Sequence, residues 1–155
     1  MLVRRAALVE RSAEQLFDLI EAAEHYPRFL PWCAGATILA RDEAMVSAEL
    51  CVRPAGTQFQ MRTRNPKRRP EWMAIHLESG PFRRFEGEWQ LAPLGADACR
   101  VGFTLDYEFG SSFVSRAAAP VFDRIADSMV DAFVKRAEAM PPYPPVPVSG
   151  SASPP

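Results

Sequence analysis

Residues 99–109 read Cys99-Arg100-Val101-Gly102-Phe103-Thr104-Leu105-Asp106-Tyr107-Glu108-Phe109, and every odd-numbered position is apolar. The side chains of a β-strand point alternately to the two faces of a sheet, so this pattern predicts a strand with one dry and one solvated face. A solvated face is typical of antiparallel sheets. The stretch therefore predicts an antiparallel sheet whose dry face another layer has to cover.

The period of the apolar residues changes directly after this strand. From Ser112 to about Met140 they recur at helical spacing. The apolar stripe comprises Val114, Ala118, Val121, Phe122, Ile125, Met129, Phe133 and Met140. We expect one amphipathic helix of about 40 Å at 1.5 Å per residue, bent at Pro120, which lacks a backbone donor. No other predicted element is long enough to lie across a large sheet.

The segments before residue 99 supply the rest of that sheet. Leu2–Val9 predicts a first strand, and a capping box at Ser12–Gln15 predicts a short helix, with a second short helix ending near Phe29. Period-two segments separated by short turns predict six antiparallel strands between residues 33 and 109. The fold class is thus α+β, with a curved antiparallel sheet of about seven strands wrapped around a long C-terminal helix.

The end of the chain differs in composition from the rest. Residues 141–155 hold seven of the fifteen prolines and no charged side chain. Such a segment cannot bury enough apolar surface to offset the entropy of ordering it. We expect a folded domain over residues 1–140 and an extended, disordered tail over residues 141–155.

The run Tyr26-Pro27-Arg28-Phe29-Leu30-Pro31-Trp32-Cys33 predicts a stiff loop, because each proline fixes its own φ and restricts the residue before it. Large apolar side chains on such a loop have to bury against the core or against an apolar ligand. A sheet that bends away from its helix leaves room for a cavity there. The predicted ligand-binding residues are Tyr26, Phe29, Leu30, Trp32, Phe59, Trp89, Phe103, Phe122 and Met129. Alternation alone does not distinguish lining a cavity from filling a core.

A second candidate site is a group of basic residues in the middle of the chain, Arg62, Arg64, Lys67, Arg68 and Arg69. One interpretation is a solvated hairpin. The other is a patch that contacts phosphates on lipid headgroups or on ribosomal RNA.

Charge and composition exclude several classes of partner and compartment. The formal net charge is −1 and charged residues make up 24% of the chain, so no global field attracts DNA. Three widely spaced cysteines favour a reducing compartment, and the N-terminus lacks the apolar region of a signal peptide. His25 and His76 have no partners at ligand spacing, so we expect no metal site. A cytoplasmic location follows, with peripheral contact at the inner face of the membrane as a further expectation.

Several short motifs carry a resemblance to a known family. The proline loop, Thr63-Arg64-Asn65, Gly80-Pro81-Phe82-Arg83 and the Gly87-Glu88-Trp89 step resemble the RatA and mitochondrial coenzyme Q-binding protein family over about residues 3–140. This resemblance implies a START-like helix-grip fold with an apolar cavity. It further implies binding of ubiquinone or a similar isoprenoid lipid and, for the RatA branch, inhibition of ribosomal subunit association. The proline tail and Pro120 depart from the family pattern.

Three classes of function remain open from the sequence. The first is a non-catalytic carrier of ubiquinone or a similar lipid, which needs no cofactor. The second is a ribosome-binding regulator whose partner is the large subunit, supported in sequence only by the basic group. The third is an oligoketide cyclase-like enzyme, which would need acid and base groups converging in the cavity. The best polar groups, Arg64, His76 and Tyr107, form no recognised spacing, so we expect no enzymatic activity and assign no catalytic residue.

Overall fold

The structure is a computed structural model that describes residues 1–54 and 56–144. Its strands are β1 (Leu2–Val9), β2 (Cys33–Arg41), β3 (Met45–Val52), β4 (Phe59–Arg68), β5 (Trp72–Ser79), β6 (Phe82–Pro93) and β7 (Cys99–Phe109). Its helices are α1 (Ala13–Glu21), a 3₁₀ helix (Ala23–Arg28) and α2 (Phe113–Ala139). The predicted element order, with two short helices near the N-terminus, is confirmed.

The seven strands form one antiparallel sheet in the order β1-β7-β6-β5-β4-β3-β2. Consecutive strands from β2 to β7 are neighbours because short turns connect them, and β1 pairs with β7 to complete the opposite edge. The odd-numbered residues of β7 are buried or nearly so, including Leu105 and Tyr107, whereas Arg100 on the other face is exposed. The predicted dry and wet faces are thus present.

Helix α2 covers the dry face and packs mainly against β1 and β7. Ser112 caps it, since its Oγ accepts a hydrogen bond from the Ser115 N–H at 3.1 Å. Phe122, Ile125 and Phe133 of the predicted stripe are buried, but Val114 is 38% exposed because it lies in the first turn, beyond the core. Pro120 is on the exposed side of a continuous helix.

Only one of the two hydrogen bonds of the predicted capping box forms at the start of helix α1. The Ser12 Oγ accepts from the Gln15 N–H at 3.1 Å, but the Gln15 side chain does not return to Ser12. Instead its Nε2 donates to the Pro141 carbonyl at 2.8 Å, and its Oε1 accepts from the Tyr143 N–H at 2.8 Å. Gln15 of α1 thus holds residues 141 and 143 in the described chain, and the predicted domain boundary at residue 140 stays a prediction. The rest of the predicted tail, residues 145–155, lies outside the described residues.

The proline-rich run is only partly a loop. Residues 26–28 form the end of the 3₁₀ helix, with Pro27 inside it. A helix of this length tolerates one missing donor, and the loop proper begins at Phe29. None of the helices in the described residues combines the length and the apolar character that a membrane span requires.

Candidate ligand-binding cavity

An apolar cavity lies between the dry face of the sheet and α2, and the 3₁₀ helix and Trp32 close one side of it. About 700 Å³ of space lies within these walls when the open mouth is included, and about 80 Å³ admits the centre of a water-sized sphere. A single water needs roughly 10–15 Å³ by the second measure, so the space exceeds a packing defect. The lining residues are Ala23, Tyr26, Trp32, Ala48, Leu50, Val52, Met61, Thr63, Asn65, Ile75, Phe85, Trp89, Phe103, Leu105, Phe122, Met129 and Phe133.

Six of the nine predicted ligand-binding residues line this cavity, namely Tyr26, Trp32, Trp89, Phe103, Phe122 and Met129. Trp89 and Phe103 are direct cross-strand partners, and their ring centroids lie 4.4 Å apart. Phe133 meets Trp89 at 5.3 Å from the helix side. Aromatic rings of the sheet and of α2 therefore meet along one wall. Whether these six residues bind a ligand stays a prediction.

The other three predicted residues are not part of the cavity wall. Phe29 packs edge-on against Phe133 at 5.4 Å, and the Arg136 guanidinium lies over its outer face at 5.3 Å. Leu30 is 1% exposed and belongs to the core. Phe59 belongs to an aromatic cluster near the start of α2, 5.7 Å from Phe82. The position of α2 over the sheet decides which inward side chains line the cavity. Apolar alternation in the sequence does not reveal that position.

Two polar residues of the cavity wall were not predicted as site residues. Thr63 and Asn65 follow Phe59 and Met61 at the inward positions of β4, and Thr63 is buried. The Asn65 Oδ1 is buried without a hydrogen-bond partner in the described residues, and its Nδ2 meets only the Met73 Sδ at 3.9 Å. The signal in the sequence was that the inward positions of β4 are apolar at first and then continue as polar residues.

An unpaired amide inside an apolar cavity is energetically unfavourable. Burying such a group without a partner costs about 1–3 kcal/mol by mutational measures. A ligand hydroxyl at this point would donate to the Asn65 Oδ1, whereas a ligand carbonyl would accept from the Thr63 hydroxyl or from the Asn65 Nδ2. The cavity wall is thus apolar with one polar end.

Tyr26 contributes its ring rather than its hydroxyl. Its phenol donates to the Ile20 carbonyl, and burial raises its pKa far above the ordinary value. Tyr26 is therefore neutral at physiological pH, and its hydroxyl is already used. Apart from this phenol, the described lining residues include no acidic or basic side chain.

The polar groups considered for catalysis do not converge. Arg64 and His76 are cross-strand partners, and His76 bonds to Glu86 at 2.8 Å on the outer face of the sheet. Tyr107 points to the inner side, where its hydroxyl donates to the Asp123 carboxylate. Burial, followed by that hydrogen bond, raises the pKa of Tyr107 well above its ordinary value. No acid and base pair faces the cavity in the described chain.

The predicted basic patch is not a single free surface. Arg62 pairs with Glu49 at 2.6 Å, Arg69 with Asp18 at 2.7 Å and Lys67 with Glu21 at 3.5 Å. Arg68 lies 3.7 Å from Glu71, and Arg64 is exposed. Neighbouring carboxylates therefore neutralise much of the charge. Arg62, Arg64 and Arg68 share the outer face of β4, whereas Lys67 and Arg69 pair with carboxylates of α1. The residues are close in sequence, but the ion pairs of Lys67 and Arg69 with α1 separate these two cations from the three on the outer face.

Comparison with known proteins decides the family. The profile of the polyketide cyclase / dehydrase and lipid transport family matches residues 9–134. This chain belongs to that family. The ribosome association toxin RatA of Pseudomonas aeruginosa is 35% identical over 138 residues, which cover 89% of this chain and 96% of that protein. A mitochondrial coenzyme Q-binding protein, COQ10 homolog B of Xenopus laevis, is 28% identical over 130 residues, covering 81% of this chain and 53% of that protein.

Solved structures share the fold of this chain. The Zhui aromatase/cyclase from Streptomyces sp. R1128 superposes with a TM-score of 0.75 at 18% identity, covering 89% of this chain and 93% of that one. A START superfamily protein from Mycobacterium smegmatis gives 0.73 at 22% identity, with coverages of 89% and 97%. The resemblance found in the sequence and the START-like helix-grip fold are thus confirmed.

Proposed function

We propose that the cavity binds ubiquinone or a similar isoprenoid lipid and that the protein carries this molecule without transforming it. The observation that supports the proposal most is the pairing of an apolar aromatic wall with Thr63 and the unpaired Asn65 amide. Quinones combine a ring that bears carbonyl oxygens with an apolar chain. The Thr63 hydroxyl and the Asn65 Nδ2, which meets only the Met73 Sδ at 3.9 Å, are donors for such a carbonyl, and the unpaired Asn65 Oδ1 can accept from the hydroxyl of the reduced quinol. The aromatic wall suits the rest of the molecule.

Burial of the apolar chain supplies the affinity in this proposal. Each CH₂ removed from water contributes about 0.8 kcal/mol, so ten carbons contribute roughly 8 kcal/mol before the cost of association. A quinone ring needs more room than the narrow interior offers. Met61 and Met129 line the wall and can move to enlarge it, because unbranched side chains adapt to irregular shapes.

The absence of acid and base groups from the described lining residues supports a carrier rather than a cyclase. The relative from Xenopus laevis is named for coenzyme Q binding, which agrees with this ligand class. We place the protein in the cytoplasm, where it would meet the lipid by peripheral contact with the inner face of the membrane.

Replacing a donor of the polar end tests the proposal. Thr63→Val keeps the shape of the side chain and removes the hydroxyl, whereas Thr104→Val makes the same change on the outer face of β7. We expect Thr63→Val to weaken binding of a short-chain ubiquinone about ten-fold, in line with one lost hydrogen bond, and Thr104→Val to leave it unchanged. Equal affinities of both variants and the wild type in calorimetric titrations would refute the assigned polar end.

A second candidate is association with the large ribosomal subunit. It is favoured by relatives named as ribosome association toxins that are 35% identical or more over nearly the whole domain. Sedimentation with purified large subunits across a salt series tests it. Phosphate contacts make such binding fall steeply with salt, whereas burial of an apolar lipid does not weaken with salt.

A further inference from the structure

The outer face of the sheet carries a row of residues that the cavity does not use. Strand pairing places Arg68 opposite Trp72, Trp72 opposite Gln90, Gln90 opposite Gly102, and Gly102 opposite Ala6. The row thus crosses five strands from β4 to β1. At about 4.8 Å between strands it is roughly 19 Å long.

Small residues make the β7–β1 end of this row concave. Gly102 and Ala6 form the floor, with Trp72 and Gln90 on one side and Arg4 and Arg100 on neighbouring rows. We call the surface formed by Arg4, Ala6, Arg68, Trp72, Gln90, Arg100 and Gly102 the outer groove.

The fold itself does not require Gly102. The residue does not have a positive φ, and a Cβ added there would meet nothing closer than the Gln90 carbonyl oxygen at 3.8 Å. Glycine inside a strand costs about 0.5–1 kcal/mol relative to alanine. The physical effect that the glycine does have is to leave the floor of the outer groove open.

The rim of the outer groove has an excess of positive charge. Arg4 and Arg100 are exposed and form no ion pair within the described residues, and Arg68 has only a long, exposed contact with Glu71 at 3.7 Å. The other carboxylate at the groove is that of Glu88. It accepts hydrogen bonds from the Trp72 indole at 3.0 Å and from the Gln90 amide, so it fixes the position of the aromatic ring.

We propose that the outer groove binds single-stranded RNA, with a base lying on the Gly102 floor beside Trp72 and phosphates contacting Arg4 and Arg100. Trp72 and Gly102 line one depression with Gln90 between them, and a planar base on this floor that reaches the ring gains about 1–3 kcal/mol from stacking. Unpaired arginines at the rim suit phosphates. The inference goes beyond lipid binding, and it would give the ribosome candidate a contact surface.

A membrane is the less suitable partner for this surface. Insertion into a bilayer needs protruding apolar side chains, whereas the floor of the outer groove is recessed and its walls are polar or aromatic. Leu8, at the sheet edge opposite Arg100, is exposed but lies beside the groove rather than in it.

Fluorescence anisotropy with a labelled mixed-sequence RNA of twelve nucleotides tests the proposal. Gly102→Val fills the floor with a residue that favours strands, so we expect an unchanged or higher melting temperature and at least a ten-fold loss of RNA affinity. Arg100→Glu should cause a similar loss and reduce the salt dependence. The matched control is Arg116→Glu on α2, which reverses an exposed charge away from the groove and should retain most of the affinity.

Three results would overturn the proposal. The first is no RNA binding by the wild type, and the second is equal RNA affinity of the wild type and Gly102→Val. The third is that Gly102→Val and Arg100→Glu bind RNA normally but bind phosphatidylglycerol vesicles more weakly than the wild type does. Ubiquinone binding by Gly102→Val should equal that of the wild type, because the cavity is on the opposite face. Sedimentation of the wild type with large subunits reports separately on the ribosome candidate. If the wild type does not sediment with large subunits, the ribosome candidate is refuted, but the RNA affinities still test the outer groove.

Discussion

Gln15 accepts a hydrogen bond from the backbone N–H of Tyr143 at 2.8 Å, and this contact fastens the residues directly after α2 to α1. The same side chain donates to the Pro141 carbonyl, and the Tyr143 hydroxyl donates to Asp18 at 2.8 Å. Residues 141 and 143 are therefore held against α1. Because Gln15 is buried, its amide has no water to replace these partners.

Replacing Gln15 with alanine should destabilise the protein. The change leaves the Pro141 carbonyl and the Tyr143 N–H without partners, so we expect the free energy of unfolding to fall by about 1–3 kcal/mol. Urea denaturation measures this loss. Gln60→Ala on the exposed face of β4 is the control and should change stability by less than about 0.5 kcal/mol. Equal stabilities of the two variants would contradict the structural role of the Gln15 contacts.

Alkaline pH should weaken the contact between Tyr143 and Asp18. Burial, followed by the hydrogen bond to Asp18, raises the pKa of Tyr143 from its ordinary value of 10 to about 12. A raised tyrosine pKa means that the folded state keeps its proton longer, so this stabilisation is complete below pH 10 and is lost towards pH 12. Tyr143→Phe should show a smaller loss of stability over that interval than the wild type. Parallel curves of stability against pH would contradict this assignment.

The Asn65 amide should lower the stability of the ligand-free protein. Asn65→Leu removes a buried polar group without a partner, so we expect the variant to be more stable by about 1–2 kcal/mol. It should also bind ubiquinone at least ten-fold more weakly. Thermal unfolding and calorimetric titration of the same preparations measure both effects. A variant that is less stable and binds normally would show that Asn65 has an ordinary packing role.

Charge reversal on the outer face should not affect the cavity. Arg64 lies on the solvated side of β4, and the cavity is bordered by the other side of the same strand. Arg64→Glu is expected to bind ubiquinone as tightly as the wild type at low and high salt. A change of more than about three-fold in a titration would mean that the cation contacts the ligand or its path of entry.

Much of the fold follows from local patterns in the sequence. The alternation in residues 99–109 predicts β7, and the helical period from Ser112 predicts α2, because both patterns depend only on which residues can face a core. The cavity wall was harder to predict, since Phe59 and Phe103 occupy equivalent inward positions and only the path of α2 separates them. Thr63 and Asn65 were missed because the unpaired state of an amide depends on its three-dimensional neighbours. The Gln15 contacts join residues more than 120 positions apart, beyond any local pattern.

Lipid content after filling the cavity is the most direct test of the carrier proposal. Ala48 is buried on the cavity wall, so Ala48→Leu should occupy the space without exposing polar groups, whereas Ala92→Leu adds the same atoms on the exposed side of β6. Mass spectrometry of organic extracts would quantify bound quinone per chain in preparations with matched melting temperatures. We predict isoprenoid quinone in the wild type and in Ala92→Leu, and less than about a tenth as much in Ala48→Leu. Equal quinone in all three, or none in the wild type, would contradict the proposal.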